Sequence, residues 1–174
     1  MNIGGSIVDE NSDVFFIADI GANHDGDIDR AKDLIKLAAE SGANAVKFQH
    51  FKAETIVSSK GFNDIRNFLP KHQRKWEKSV FETYQQASIN TNWNKELAKC
   101  CTENQVTFMT SPYDLDLARE IDPLVDTYKI GSGDISWMEI IDHLAGTGKN
   151  LIVATGASDI NDVRRAYKRI KKYG

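Results

Sequence analysis

Cysteine is almost absent from this 174-residue chain: Cys100 and Cys101 are the only two, and they are adjacent. Neighbouring cysteines supply neither a disulfide framework nor the ligand spacing of a metal site, so both are expected to be buried or idle thiols in a reducing compartment. Long apolar runs are missing too, since no stretch reaches the roughly 18 residues of a membrane span. The opening Met1-Asn2-Ile3-Gly4-Gly5-Ser6 lacks the basic and then apolar order of a targeting peptide. No membrane partner is expected, and a cytoplasmic soluble protein is the default. Neither sign of charge dominates: 22 Lys and Arg face 25 Asp and Glu, for a net charge of −3. A basic surface for nucleic acid and a large acidic field are both disfavoured. What is present, 41% hydrophobic and 27% charged residues, is ordinary globular composition, which argues against disorder, collagen and coiled coil. The length suits one domain with a sizeable core. It falls short of a complete (β/α)8 barrel, which needs about 250 residues and at least about 200.

Short apolar runs alternate with amphipathic segments, the pattern of βα units on a parallel sheet. Strands are expected at Val14 to Ile20, Ala45 to Gln49, Val106 to Met109, Thr127 to Ile130 and Leu151 to Ala154. Between the first two, Ala31, Leu34, Ile35, Ala38 and Ala39 recur at helical spacing, with Asp29 as a candidate cap and Ser41-Gly42 as the stop. Further helices are expected at Leu115 to Ile121, Trp137 to Leu144 and Asp159 to Lys172. That makes about five βα units. One interval is twice the others, because an aromatic and basic stretch intervenes at about 52–92, with a helix candidate at Trp76 to Gln86 and little regular pattern elsewhere. Such insertions are functional, mobile, or surface excursions packed on the barrel's side. The basic cluster RRAYKRIKK at 164–172 reads as the solvated face of a terminal helix rather than a nucleic-acid site.

In parallel βα proteins the working residues gather where strands end. Strand ends here offer Asp19, then Asn23 and His24 in the next loop, Lys47 and Gln49, Ser111 after Thr110, Lys129 followed by Gly131-Ser132-Gly133-Asp134, and Thr155. Lys47 and Lys129 are singular, because each sits within an apolar strand, VKF and YKI, where an uncompensated ammonium is costly. Asp19 and Asp134 are candidate partners in buried ion pairs. The alternative is a pocket for a phosphorylated or carboxylated substrate, since lysines, hydroxyls and glycine-flanked N–H groups are what phosphate binding requires. His24 offers an acid, a base, a substrate donor or a loop anchor. His50, His72 and His143 share no ligand spacing with it, so no metal site is legible.

The segments IADIGANHDGDIDRAKDLIKLAAESGANAVKFQ at 17–49, TSPYD at 110–114, YKIGSGD at 128–134 and VATGAS at 153–158 resemble the N-acetylneuraminate (sialic acid) synthase family, which includes legionaminic and pseudaminic acid synthases. The blocks match in order and spacing. The resemblance implies a TIM (β/α)8 barrel, a small C-terminal antifreeze-like domain and a homodimer when full length. It also implies condensation of phosphoenolpyruvate with an N-acylated (N-acetylamino) sugar, assisted by Mn2+ or Mg2+. Carbon 3 of phosphoenolpyruvate attacks the metal-polarised sugar aldehyde, water adds to the oxocarbenium centre, and phosphate leaves by C–O cleavage. By resemblance Lys47 and Lys129 are the phosphoenolpyruvate-binding lysines, Ser132 is a further phosphate contact, and Gln49 touches the amino sugar. Asp19 falls where the family commonly has a glutamate handling water and protons, and Asp134 where it has Glu or Asp.

Four departures accompany the match. Asp19 is one methylene shorter than glutamate, roughly 1.5 Å, and a misplacement near 1 Å costs on the order of 100-fold in rate. Ala154 stands where many members have a phosphate-contacting serine. The 52–92 insertion aligns with no sugar-binding residue. The family's two metal-binding histidines lie on strands six and seven, beyond Gly174, with the antifreeze-like domain beyond them. Residues 1–174 are therefore expected to be the N-terminal part of a synthase barrel, without metal ligands and without turnover alone. Two other readings fit the same residues. One is a Schiff-base aldolase or lyase using Lys47 or Lys129. The other is a non-catalytic anion-binding or assembly module whose open sheet edges pair with another chain.

Overall fold

Five apolar runs bounded by glycine and polar turns become five parallel strands in the computed structural model, which describes residues 1–174. A short antiparallel hairpin comes first, β1 (Asn2–Ile3) with β2 (Ser6–Ile7). The parallel sheet follows in strict chain order: β3 (Ile17–Gly21), β4 (Ala45–His50), β5 (Thr107–Pro112), β6 (Thr127–Ile130) and β7 (Asn150–Val153). Helices α1 (Ile28–Glu40), α5 (Asn94–Glu103), α6 (Leu115–Ile121) and α7 (Met138–Gly146) connect the strands, and α8 (Ile160–Ile170) follows the last. Sequential parallel order with crossover helices is the geometry of a partial (β/α)8 barrel of five βα units. No helix is long and apolar enough to cross a membrane.

Several boundaries differ from the sequence pattern for local reasons. The first strand begins at Ile17, because Val14 and Phe16 are exposed and precede the pairing with β4. Asp27, rather than Asp29, caps α1, its carboxylate accepting from the N–H groups of Asp29 and Arg30. The stretch at 52–92 is more regular than its composition suggested: it folds as α2 (Ala53–Ile56), α3 (Ser59–Asp64), two short 3-10 turns and α4 (Val80–Ala87). A capping box between Ser79 and Glu82 fixes the start of α4 four residues later than expected. Buried Ala53, Val57, Leu69 and Val80 give this excursion a small core of its own. Phe51 packs against Tyr84 of α4 and against Tyr113, which seats the excursion at the C-terminal ends of β4 and β5. Cys100 and Cys101 both lie buried on α5, and burial pushes the Cys101 thiol up to about 12.

Alternation along the strands sorts their side chains into two faces. Val46, Phe48, Phe108, Tyr128 and Ile130 join the main core beneath the helices. Ala45 and Met109 face the other way and pack with Ile3, Ile17 and Ile152, so the N-terminal hairpin closes the lower end of the interior. Gly4 permits this close approach: its φ is +56°, and any side chain would collide with Thr107. One step up the strands from that apolar layer stand Asp19, Lys47 and Lys129. The outer strands β3 and β7 each pair on one side only, and an apolar groove of about 590 Å³ runs between β3 and α1, lined by Phe16, Ala18 and Leu34.

Candidate active site

Register carries the chemistry to one end of the sheet. Asp19 aligns with Lys47, Gln49 with Ser111, and Thr110 with Tyr128, which places Lys129 beside Ser111 on the interior face. Lys47 is 3% exposed, and its Nζ lies 2.8 Å from Asp19 Oδ1, whose own side chain is 58% exposed. This ion pair bridges β3 and β4. Lys129 is half-buried and has no carboxylate within 4.0 Å, so the second ion pair expected, with Asp134, does not form. Its ammonium stays free for an anion.

Two glycines keep the strand ends clear. A Cβ at Gly21 would lie 3.4 Å from Gln49 Oε1 and 3.5 Å from Asp19 Oδ1, and φ of +59° there also favours glycine. A Cβ at Gly131 would overlap Asp134 Oδ2 and lie 3.3 Å from the Tyr113 hydroxyl. Gln49 Nε2 donates to that hydroxyl at 3.1 Å. A polar line therefore runs Asp19, Gln49, Tyr113, Asp134 across the ends of β3, β4, β5 and β6. Ser111 is buried within this line, and Ser132 and Thr155 occupy the loops after β6 and β7, where Ser158 Oγ donates to the Ser132 carbonyl.

Residues 34–174 match the model of the NeuB family. The chain belongs to the NeuB family. The spore coat polysaccharide biosynthesis protein SpsE of Bacillus subtilis (strain 168) is 32% identical over 175 residues, covering 99% of this chain and 45% of SpsE. The N,N'-diacetyllegionaminic acid synthase of Campylobacter jejuni is 31% identical over 159 residues, 91% of this chain and 47% of that enzyme. This NeuB chain spans about half the length of the curated relatives it matches. The crystal structure of SpsE superposes with a TM-score of 0.75 at 31% identity over 100% of this chain and 45% of that one. That of an N-acetylneuraminic acid synthetase from Leptospira borgpetersenii, at 22% identity, gives 0.77 over 99% and 57%, a likeness of fold alone.

Not every candidate of this NeuB chain reaches the interior. His24 is fully buried, with its ring edge against Trp93 and its Nδ1 accepting from the Gly26 N–H at 3.1 Å. Asn23 donates its side chain to the Ile20 carbonyl at 2.8 Å. Both shape the loop after β3 and lie apart from the polar line. Two other groups escaped the sequence reading. Tyr113 was visible only inside the TSPYD block, since nothing marks an aromatic after a strand as polar-site material. His50 points to the helix-side face, where Nδ1 accepts from Thr110 Oγ1 at 2.7 Å and Nε2 donates to Asn94 Oδ1 at 3.0 Å.

Burial raises the Asp134 carboxyl above the usual range. A carboxyl raised on folding favours the folded state only while protonated, so its cost is absent below about pH 4 and complete once pH has passed the folded value. Asp134→Asn is therefore expected to raise the melting temperature at pH 7 and to leave it unchanged at pH 3. Thermal melts at the two values check this, and equal melting temperatures at pH 7 would contradict it.

Proposed function

We propose that this chain forms the phosphoenolpyruvate-binding half of an active site that condenses phosphoenolpyruvate with an N-acylated amino sugar to give a sialic acid-like nonulosonic acid. The observation that carries the reading is the pair of interior strand lysines. Lys47 and Lys129 stand on β4 and β6, two strands apart, with Ser111 between them, and only Lys47 has a carboxylate partner. Such an arrangement suits a ligand with both a carboxylate and a phosphate. The names of the curated relatives, which include legionaminic acid and N-acetylneuraminate-9-phosphate synthases, support a product of the same class.

Within this reading the lysines neutralise the two anionic groups and hold carbon 3 of phosphoenolpyruvate toward the sugar aldehyde. As the C2=C3 electron pair forms the new C–C bond, the aldehyde oxygen takes a proton from solvent and carbon 2 becomes electron-poor and accepts water. Asp19, over half exposed beside Lys47, takes the proton from that water. The tetrahedral centre then releases phosphate by C–O cleavage as its hydroxyl proton passes to the departing phosphate, whose charge is held by Lys129, Ser132 and Thr155. The insertion around α2 to α4 borders the Tyr113 end of the polar line, where the sugar enters.

For the family's metal, the side chains present do not fit. Nowhere do three His, Cys, Asp or Glu side chains gather around one point. The metal's ligands, like the dimer, are proposed for a longer protein. A Schiff base is disfavoured at Lys47, whose ammonium is engaged by Asp19.

Isothermal titration of the chain with phosphoenolpyruvate is expected to give saturable one-to-one binding, and pyruvate, which lacks the phosphate, to bind at least about tenfold more weakly. Borohydride with pyruvate should leave the mass unchanged. Equal affinity for the two ligands, absence of saturation, or a covalent adduct on either lysine would overturn the reading.

A further inference from the structure

Gln49 lies between two neighbours that decide which end of its carboxamide faces which way. Its Nε2 donates to the Tyr113 hydroxyl. Its Oε1 turns toward Gly21, where it converges with Asp19 Oδ1 on the space that a Cβ would occupy. Both converging atoms are acceptors. Lys47 satisfies Asp19 Oδ1 from the interior side, but nothing donates to Gln49 Oε1. A pair of acceptor oxygens over a bare glycine is complementary to N–H or O–H donors.

A phenol can donate as well as accept, and here its oxygen accepts from Gln49 Nε2, which fixes the carboxamide. The Tyr113 hydroxyl and Asp134 Oδ2 both approach the missing side chain of Gly131, one at 3.3 Å and the other in overlap. The Asp134 carboxylate stands across the Gly131 gap from the phenol, whose oxygen accepts from Gln49. Phe51 packs edge-on against the Tyr113 ring, with centroids 6.4 Å apart, and holds it in place.

We propose that Tyr113 is a positioning residue that sets the donor preference of the sugar site: by holding Gln49 Nε2 it presents Gln49 Oε1, beside Asp19, to the amide N–H of an N-acylated amino sugar. The proposal rests on the function given above. A site that offers acceptors rejects a sugar lacking the matching donor, because its oxygens are then left unpaired.

The test uses the chain saturated with phosphoenolpyruvate and titrated in turn with N-acetylmannosamine and with 2-deoxyglucose, which has no donor at carbon 2, followed by NMR. The wild type should prefer N-acetylmannosamine. Tyr113→Phe should weaken N-acetylmannosamine about fivefold, leave 2-deoxyglucose and phosphoenolpyruvate affinities unchanged, and shift the Gln49 side-chain NH2 resonances in the free protein. Three outcomes would overturn the proposal while leaving phosphoenolpyruvate binding intact: no wild-type preference, an unchanged N-acetylmannosamine affinity in the variant, or equal weakening of both sugars. A wild type that binds no phosphoenolpyruvate would remove both the proposal and the reading beneath it.

Discussion

Between roughly pH 6.5 and pH 4 the folded chain should lose about 3 kcal/mol of stability, and His50 should account for it. The ring is fully buried on the helix side of β4, and burial lowers its pKa to about 4. In the neutral form its two nitrogens are matched, one accepting from Thr110 and the other donating to Asn94. The sign follows from where the proton binds. The unfolded chain takes up a proton at His50 as pH falls below its ordinary value, whereas the folded chain resists until about 4. Stability conferred by the neutral ring is thus present above the unfolded value and drains away through that window. His24, also lowered by burial, adds in the same direction, while Asp134, raised by burial, opposes it as its cost is relieved. Asp122 and Asp142, held low by Lys149 and Arg169 respectively, lose their contribution only at more acid pH. A loss of this size is a large part of the roughly 5–15 kcal/mol that holds a domain together. Urea unfolding at half-unit pH intervals measures it. His50→Gln, which cannot titrate, should flatten the slope, and parallel wild-type and variant profiles would rule His50 out.

The same residue shows where sequence reasoning stops. That β4 is a strand, and that Lys47 and Gln49 share its interior face, follows from the apolar run and period-two alternation. Alternation also sends His50 to the opposite face. Its partners, however, come from Thr110 on β5 and Asn94 at the start of α5, 60 and 44 residues away, and only register and helix docking bring them together. The ion pair of Lys47 with Asp19 was legible, because an ammonium in an apolar strand demands a partner and Asp19 ends the neighbouring strand. The analogous pairing of Lys129 with Asp134 fails because Asp134 lies beyond a Gly-Ser-Gly turn that folds its carboxylate back over Gly131. Helix α5 was missed for a compositional reason: its buried positions are Asn94, Leu97, Cys100 and Cys101, a stripe with one strongly apolar residue. Burial of that stripe comes from packing against α1 and β5, which no local pattern reports.

Removing the Lys47 charge should separate binding from folding more sharply than any other change. Lys47→Met is expected to weaken phosphoenolpyruvate by at least about 30-fold, the scale of about 2 kcal/mol or more for truncating a buried, hydrogen-bonded charge against an anion. Stability should hardly fall. Methionine nearly matches the volume of lysine, the lost ammonium no longer needs desolvation, and replacing a buried charge by an apolar group of similar shape is often neutral or stabilising. The carboxylate left behind is the exposed member of the pair, so Asp19 recovers its solvation from water. Lys129→Met provides the contrast within the same site. Its ammonium makes no ion pair, so nothing inside the protein competes for it, and its whole charge is available to the ligand. Both variants should therefore lose affinity, with urea midpoints near the wild type. Calorimetric titration and unfolding on the same preparations decide the matter. Affinity within about threefold of wild type in Lys47→Met would mean that the ion pair is structural, and that the anion, if bound at all, sits elsewhere. A large fall in stability with affinity retained would assign Lys47 to the fold alone, because a ligand-facing cation and a fold-supporting cation respond in opposite ways to the same neutral side chain.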